Sequence, residues 1–324
     1  MNRREFIVAA GSLPLLLAAC GTEEDAEPSA QQGPWTFTDD RGKKIRLDAA
    51  PERIVAHEYA LAALWDYGVR PVGTYGSVPV AEQPLFDDLD LGGVKSVGEV
   101  WGEVNLEALA ALRPDVIVST YWPSEKLLGG IKDNKLAGKM SAIAPLLGIH
   151  AQVPATTTIE HFEKLAGALG RDVDSSEMRA TRKRYDDAVA AFRAAVEAKP
   201  DLRMMAVYAD PEAFYVAKTA DYSDLREYAA WGLNIVSGES SDPYWEKLSW
   251  ENADKYEADL ILHDARAHAP SLDDLAKIPV WRRFPAVEAG QLAPWHMEEA
   301  VTYRLFGSHV EELTAAIERA EVIT

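Results

Sequence analysis

The sequence predicts an α/β protein of two Rossmann-like lobes joined by one long backbone α-helix, with a ligand cleft between the lobes. Three observations carry this. Short apolar segments alternate with helically spaced segments on both sides of the chain's middle, the pattern of parallel βα layers. A breaker-free segment, "DSSEMRATRKRYDDAVAAFRAAVEAKP", lies between the two alternating halves. One local design is also written twice, as "NLEALAALRPDVIV" from Asn105 and "SWENADKYEADLIL" from Ser249. Each copy has a small polar residue, a glutamate two places on (Glu107, Glu251) and an aspartate (Asp115, Asp259) opening an apolar run.

With 324 residues the chain has room for about two domains. Hydrophobic residues make up 48%, enough to build ordinary cores, and a single cysteine, Cys20, leaves no intrachain disulfide to hold them. Residues 1–19 read as an export signal. Arg3 and Arg4 precede an apolar run too short to span comfortably as a helix, and the run ends Leu17-Ala18-Ala19-Cys20. Small residues before a lone cysteine resemble a bacterial lipobox, in which Cys20 is lipidated and becomes the new N-terminus. Arg3-Arg4-Glu5-Phe6-Ile7 also resembles a twin-arginine signal, with general secretion as the other route. Residues 20–34 are polar and acidic and are expected to form a flexible tether. The expectation is an extracytoplasmic body that meets the outer face of the cell membrane only through its lipid. The net charge of −19 argues against a nucleic-acid partner, which needs a basic surface.

The N-terminal α/β lobe is expected over 35–173. "WTFTDDRGKKIRL" is predicted to be a hairpin turning at Asp40-Arg41-Gly42. "RIVAH" is a short apolar strand. "EYALAALWDYG" sets Leu61, Leu64 and Trp65 at helical spacing and stops on Gly68 in the αL role. "PVGTY" is the next strand, and the first repeat copy supplies a helix and the strand "DVIVST". "TTTIEHFEKLAGALG" puts Ile159, Phe162, Leu165 and Leu169 on one helical face and closes on Gly170.

The connecting helix is expected over 174–199, with Met178, Tyr185, Val189, Phe192 and Val196 on one stripe. Asp174 or Ser175 can cap it, because a side-chain oxygen there accepts an orphan amide proton. About 24 residues at 1.5 Å each make a rod of roughly 36 Å, the width of a domain. The C-terminal lobe, 200–324, resumes the alternation. "RMMAVYAD" and "AFYVAK" are strands, "YSDLREYAAWG" a helix ending on Gly232, and "NIVSG" a short strand. The second repeat copy gives a helix and the strand "DLILHD". "IPVWRRFPAVEAGQL" is a turn-rich connection, and "EEAVTYRLFGSHVEELTAAIERA" is helical.

Asn105 and Ser249 suit N-cap positions, so Glu107 and Glu251 fall in a first helical turn. A carboxylate there gains about 0.3–1 kcal/mol from the helix dipole, which alone is reason to keep it. Position supplies another reason. Each helix precedes a strand whose carboxyl end, Ser119-Thr120 or His263-Asp264, faces any cleft, and the helix starts at that same sheet edge. Two anions can therefore flank a cleft mouth, one on each lobe, as a plug for two cationic sockets.

At these residues the chain resembles the substrate-binding proteins of bacterial iron-chelate and vitamin B12 ABC importers, the class with a helical backbone between two lobes. "PERIVA", "VNLEALAALRPDVIV", "SWENADKYEADLIL" and "IPVWRRFPAVEAGQL" carry the resemblance. It implies that Glu107 and Glu251 contact arginines of the importer permease. The family's usual Glu-Pro-Asn-x-Glu reads here Glu103-Val104-Asn105-Leu106-Glu107, so the proline is lost while the cap and glutamate stay.

Aromatic residues gather where strands end: Trp101, Tyr121 and Trp122, Tyr208, Trp245, and Trp295 beside His296. Large flat side chains bury the apolar skeleton of a chelate and have few degrees of freedom to lose. The C-terminal half most resembles hydroxamate-siderophore binders, with Tyr244-Trp245 ahead of Ser249-Trp250-Glu251 and Trp295 before the last helices. Such relatives often carry an arginine just before the Glu-Pro-Asn motif to meet chelate oxygens. Here Trp101 stands there, which leaves Arg266 or Arg304 for that role, with His263 lining the pocket. With the acidic body, this implies a neutral or cationic ferric hydroxamate rather than an anionic catecholate; haem or cobalamin is the alternative cargo.

A bare-metal binder would need three or four ligands converging near 2.0–2.2 Å, and nothing in the spacing of His57, His150, His161 and His263 forces that. A secreted hydrolase is disfavoured, since "YGSVP" and "FGSHV" lack the second glycine of a nucleophile elbow, and no phosphate or dinucleotide loop is present. Saturable binding of a small molecule would count against a tethered adhesin. The expectation is thus a monomeric binder with no catalytic residue and no resident cofactor, whose partners are a ferric siderophore and a permease. The unbroken helix resists a large swing, so closure on ligand should be small.

Overall fold

The structure, a computed structural model, describes residues 33–87, 89–299 and 301–323. The expected export signal, Cys20 and most of the tether lie outside the described residues. Among the described residues no helix is long and apolar enough to cross a membrane.

The predicted hairpin forms as Trp35–Thr38 paired antiparallel with Lys44–Leu47, and Gly42 takes the left-handed turn position at φ 77°. It is clasped to the first lobe. Asp39 accepts from Arg41 N at 3.1 Å and Lys43 N at 2.9 Å within the turn, and from Gly148 N at 3.0 Å across it. The Trp35 indole donates to Ala168 O at 2.7 Å.

Each lobe holds a six-stranded sheet. In the first, Lys95–Ser96, Gly73–Tyr75, Ile54–His57 and Val116–Trp122 lie parallel, with Leu146–His150 parallel to the far side of Val116–Trp122. Leu127–Leu128 turns back antiparallel on the end of Val116–Trp122. In the second, Arg203–Ala209, Leu260–Asp264 and Leu292–Trp295 are parallel neighbours, with Asn234–Val236 parallel to Arg203–Ala209. Phe214–Ala217 and Trp245–Leu248 complete it antiparallel. Five strands have no counterpart in the sequence reading, among them Leu292–Trp295, which begins inside the predicted turn-rich connection. Lys95–Ser96 and Leu127–Leu128 are two residues each, too short to show a period. Leu146–His150 is almost wholly buried, so its apolar run does not alternate. Trp245–Leu248 hides Glu246 inward.

The backbone helix runs Ser176–Ala198, 23 residues, about 35 Å at 1.5 Å each. Ser175 Oγ caps it, accepting from Met178 N at 3.1 Å. Tyr185, Phe192 and Val196 are buried, as the stripe requires, in the core of the second lobe with Trp231 and Phe306. The helix lies against the last helix, Tyr303–Arg319, whose carboxyl end is held by Lys199 Nζ bonded to Ile317 O at 2.9 Å and Glu318 O at 2.7 Å. A cation there meets carbonyls that no intrahelical amide reaches.

Two expectations are corrected. The second repeat copy is a 3-10 helix, Trp250–Lys255, where an α-helix was predicted. Ser249 makes no cap bond to it; its hydroxyl accepts from Asn252 Nδ2 at 3.1 Å instead. The last helix starts at Tyr303 rather than at Glu298, because Thr302 Oγ1 caps Leu305 N at 3.1 Å and Glu298 sits at φ 70°.

Candidate functional site between the lobes

The strands of both sheets end at a cleft of about 360 Å³, inside the usual range for small-molecule pockets. Glu58 and Tyr59 enter it directly after Ile54–His57, and Trp122 from the end of Val116–Trp122. Trp101 reaches it from an exposed turn. The opposing wall is Tyr222, Tyr244 and Trp245, with Arg266 and Glu298 on the turns after Leu260–Asp264 and Leu292–Trp295. A larger, open depression of about 790 Å³ lies on the first lobe alone, lined by Lys132, Lys135, Lys139 and Glu103. It lacks the second lobe's wall, and of the aromatics above none lines it.

The second wall is a packed aromatic block. Trp245 meets Tyr222 edge-on at 5.6 Å and Trp295 at 5.8 Å, while Tyr208 lies 6.2 Å from it. The lobes touch across the cleft's rim. Tyr244 Oη is 2.8 Å from Ser124 Oγ, and its ring meets Trp122 edge-on at 5.7 Å.

Buried charge gives the cleft its electrostatic character. Burial raises the Glu58 carboxyl to about 7, against bonds from Ser77 N at 3.1 Å and Ser77 Oγ at 2.9 Å. Gly76 is required beside it, since a Cβ there would sit 2.1 Å from Glu58 Oε2. Glu298 keeps part of its surface open to the cleft but is ringed by protein elsewhere, and that desolvation raises its carboxyl pKa. Arg266 is forked onto Asp264, with Nε 3.0 Å from both oxygens and Nη2 2.6 Å from Oδ2. Burial opposes the Arg266 charge, but the bonds to Asp264 outweigh it and its pKa is raised. His268 is lowered by burial and by Arg266. Three carboxyls, Glu58, Glu125 and Glu298, thus face one guanidinium that already has a partner. Behind this wall His57 is held neutral by burial, its pKa lowered to about 3. Gly129 and Gly130 let the cleft-side loop lie over its ring, where a Cβ on either would come within 3.0 Å.

Of the residues singled out from sequence, Trp101, Trp122, Trp245 and Arg266 line the cleft. The structure places the others elsewhere. Trp295 is buried, and its indole donates to Asp224 at 2.6 Å, so it props the wall from behind. Tyr208 packs against Tyr215 and Trp245 in the same supporting layer. Tyr121 meets His150 edge-on. His263 is half-buried in its strand, and burial lowers its pKa. His296 turns to Glu312, with Nε2 2.8 Å from Oε2. Arg304 forks onto Asp66 of the first lobe at 2.9 and 3.0 Å. Glu107 and Glu251 are exposed in the first turns of their helices. The histidines weighed as metal ligands do not converge among the described residues; His161 is bonded to Asp40 at 2.8 Å, and His57 packs between Tyr59 and Tyr75. Glu58, Tyr59, Tyr222 and Glu298 were missed. Glu58 and Tyr59 follow "RIVAH", and Glu298 follows the last strand, so the strand-end rule that found Trp122 applied to them too.

Comparison with known proteins bears on this site. Residues 71–298 match the family model described as periplasmic binding protein. The crystal structure of DesE, a ferric-siderophore receptor protein from Streptomyces coelicolor, is similar at 33% identity with a TM-score of 0.83, covering 90% of this chain and 100% of DesE. The Fe(3+)-citrate-binding protein YfmC of Bacillus subtilis is 21% identical over 285 residues, 86% of this chain and 84% of YfmC. The probable siderophore-binding lipoprotein YfiY of the same organism is 32% identical over 136 residues, 40% of this chain and 38% of YfiY. A family model that spans most of the two-lobed body, and a solved relative that matches nearly all of it, make this chain a member of the periplasmic binding protein family.

Proposed function

We propose that the chain captures a ferric siderophore of the hydroxamate type outside the cytoplasm and delivers it to an ABC importer. The supporting observation is the charge of the cleft. Three hydroxamate groups neutralise Fe(III), so the complex brings no net anion unless its skeleton adds one. A triscatecholate or citrate complex is anionic and would meet Glu125 and two carboxyls, Glu58 and Glu298, that burial already raises and that a further anion would raise more, with Arg266 already bound to Asp264. Desolvating a like-charged pair is costly, whereas a neutral or ammonium-bearing complex avoids that cost. The aromatic walls then cover the apolar skeleton. The chain acts as a carrier without turnover, anchored through lipid at Cys20 and working as a monomer, and Glu107 and Glu251 are the contacts offered to the permease.

The test is isothermal titration with ferric hydroxamates, ferric catecholates, ferric citrate, haem and cobalamin. Tight stoichiometric binding of a hydroxamate complex, recovered chemically unchanged, is the expected result. Silence with hydroxamates and tight binding of another class overturns the reading.

A further inference from the structure

Outside the cleft, on the far side of the turn that carries Glu298, two imidazoles and a carboxylate converge. His296 follows the strand Leu292–Trp295, Glu299 closes the turn, and His309 projects from the helix Tyr303–Arg319. One ligand atom from each lies within 4.8 Å of the others. Glu299 Oε2 is 3.8 Å from His296 Nδ1 and 3.6 Å from His309 Nε2. The two rings stack with centroids 4.1 Å apart and planes 9° from parallel.

We propose that His296, Glu299 and His309 form a binding site for a borderline divalent cation, zinc first, separate from the cleft and independent of its cargo. Two imidazoles and one carboxylate are a donor set that suits zinc and leaves a fourth position for water. Ligand atoms around a tetrahedral zinc at about 2.0–2.2 Å lie roughly 3.3 Å apart. The gaps of 3.6 and 3.8 Å therefore need to shrink by only a few tenths of an ångström. The rings must also tilt from their stack, with the part-exposed His296 pivoting about its bond to Glu312.

A second feature points the same way. His296 directs Nδ1 at Glu299 and Nε2 at Glu312, 2.8 Å away. A carboxylate on the other ring nitrogen is what fixes the tautomer and orientation of a metal-bound histidine.

Zinc titration of the untagged protein decides the matter, followed by the visible absorption of cobalt put in its place. One ion per chain is expected, with a tetrahedral cobalt spectrum and a rise in Tm of about 5 °C at a hundredfold excess over Kd. His309→Ala, His296→Asn and Glu299→Gln should each weaken zinc at least about 100-fold. The last two lie at part-exposed positions, so they keep the test open should His309→Ala fail to fold. His161→Asn serves as control and should bind zinc as the parent does. No zinc binding by the parent, or unaltered binding by His296→Asn and Glu299→Gln, overturns the proposal.

Discussion

Asp115 and Asp259 stand at matching places in the two lobes and make matching bonds, while the short helices ahead of them differ. Asp115 N donates to Arg53 O at 2.8 Å, and its carboxylate accepts from Arg53 N at 2.8 Å. Asp259 N donates to Arg203 O at 2.8 Å, and its carboxylate accepts from Arg203 N at 2.7 Å. Each aspartate thus pins the start of its own strand to the start of the neighbouring parallel strand, where the ladder has not yet begun. The helices part company at the cap. Asn105 Oδ1 accepts from both Glu107 N at 3.1 Å and Ala108 N at 3.0 Å, and Leu106–Ala111 is α-helical. Ser249 makes no such bond, and Trp250–Lys255 winds as a 3-10 helix. The duplicated glutamates survive this difference with both side chains in solvent. The strand clamp is structural in both lobes, whereas the first helical turn offers each glutamate only the modest attraction of a helix start. That is the pattern expected if a partner reads Glu107 and Glu251.

The largest effect should separate the two pairs. Glu107→Arg or Glu251→Arg is expected to cut cellular uptake more than about tenfold, through like-charge contact with a cationic socket, while ligand affinity stays within about twofold. Loss of affinity by purified Glu107→Arg would instead put that residue in the pocket. The aspartates should do the opposite. Asp259→Ala removes the acceptor for Arg203 N and for Ile323 N, the latter at 2.8 Å. Asp259 is fully buried, so about 3 kcal/mol of stability is at stake, and rather less for the part-exposed Asp115. Urea unfolding of both variants measures this; equal small losses would deny the clamp.

The cleft's buried carboxyl adds a pH signature of middle size. Burial holds the Glu58 carboxyl up at about 7 in the fold, above its ordinary value near 4.5. The folded state therefore holds this proton more tightly. The stabilisation is complete below about pH 4.5 and is lost as the pH climbs through about 7, on the order of 3 kcal/mol. Asp224, raised to about 6 by burial, and Glu299, raised to about 7, act in the same direction. Buried histidines such as His57, lowered to about 3, work the other way below about pH 6.5, so thermal unfolding between pH 6.5 and 8 should show Tm falling with pH, and Glu58→Gln should flatten the fall. The smallest effect returns to the caps. Asn105→Ala should cost about 1 kcal/mol and Ser249→Ala less than half of that, since only Asn105 feeds orphan amides.

Much of the frame could be read from residue order. The backbone helix followed from a stripe with no breaker, and the lobes from alternation around it. The cleft was half legible, for a definite reason. Order along the chain says that Trp122, Trp295 and Arg304 lie near strand ends or helix starts. It does not say which way each one turns. In Leu292–Trp295 the burial alternates so that Trp295 shares the inward face with Ala293. Its N–H is then taken by Asp224, while Trp245 keeps the cleft face. Arg304 sits two residues past the capping Thr302, which also donates to Asp66 at 2.7 Å, so both side chains serve one carboxylate on the first lobe. Glu58 and Glu298 were passed over because aromatic side chains were sought at the strand ends; the folded chain shows both lining the cleft.

The central claim is that cargo is held between the two lobes, against the wall formed by Tyr222, Tyr244 and Trp245. A crystal structure of the complex with a ferric hydroxamate, read through the anomalous signal of its iron, tests this directly. The iron should lie between Trp122 and Trp245, within contact of both lobes. Iron seated in the open depression beside Lys132 and Lys139, touching the first lobe alone, would contradict it.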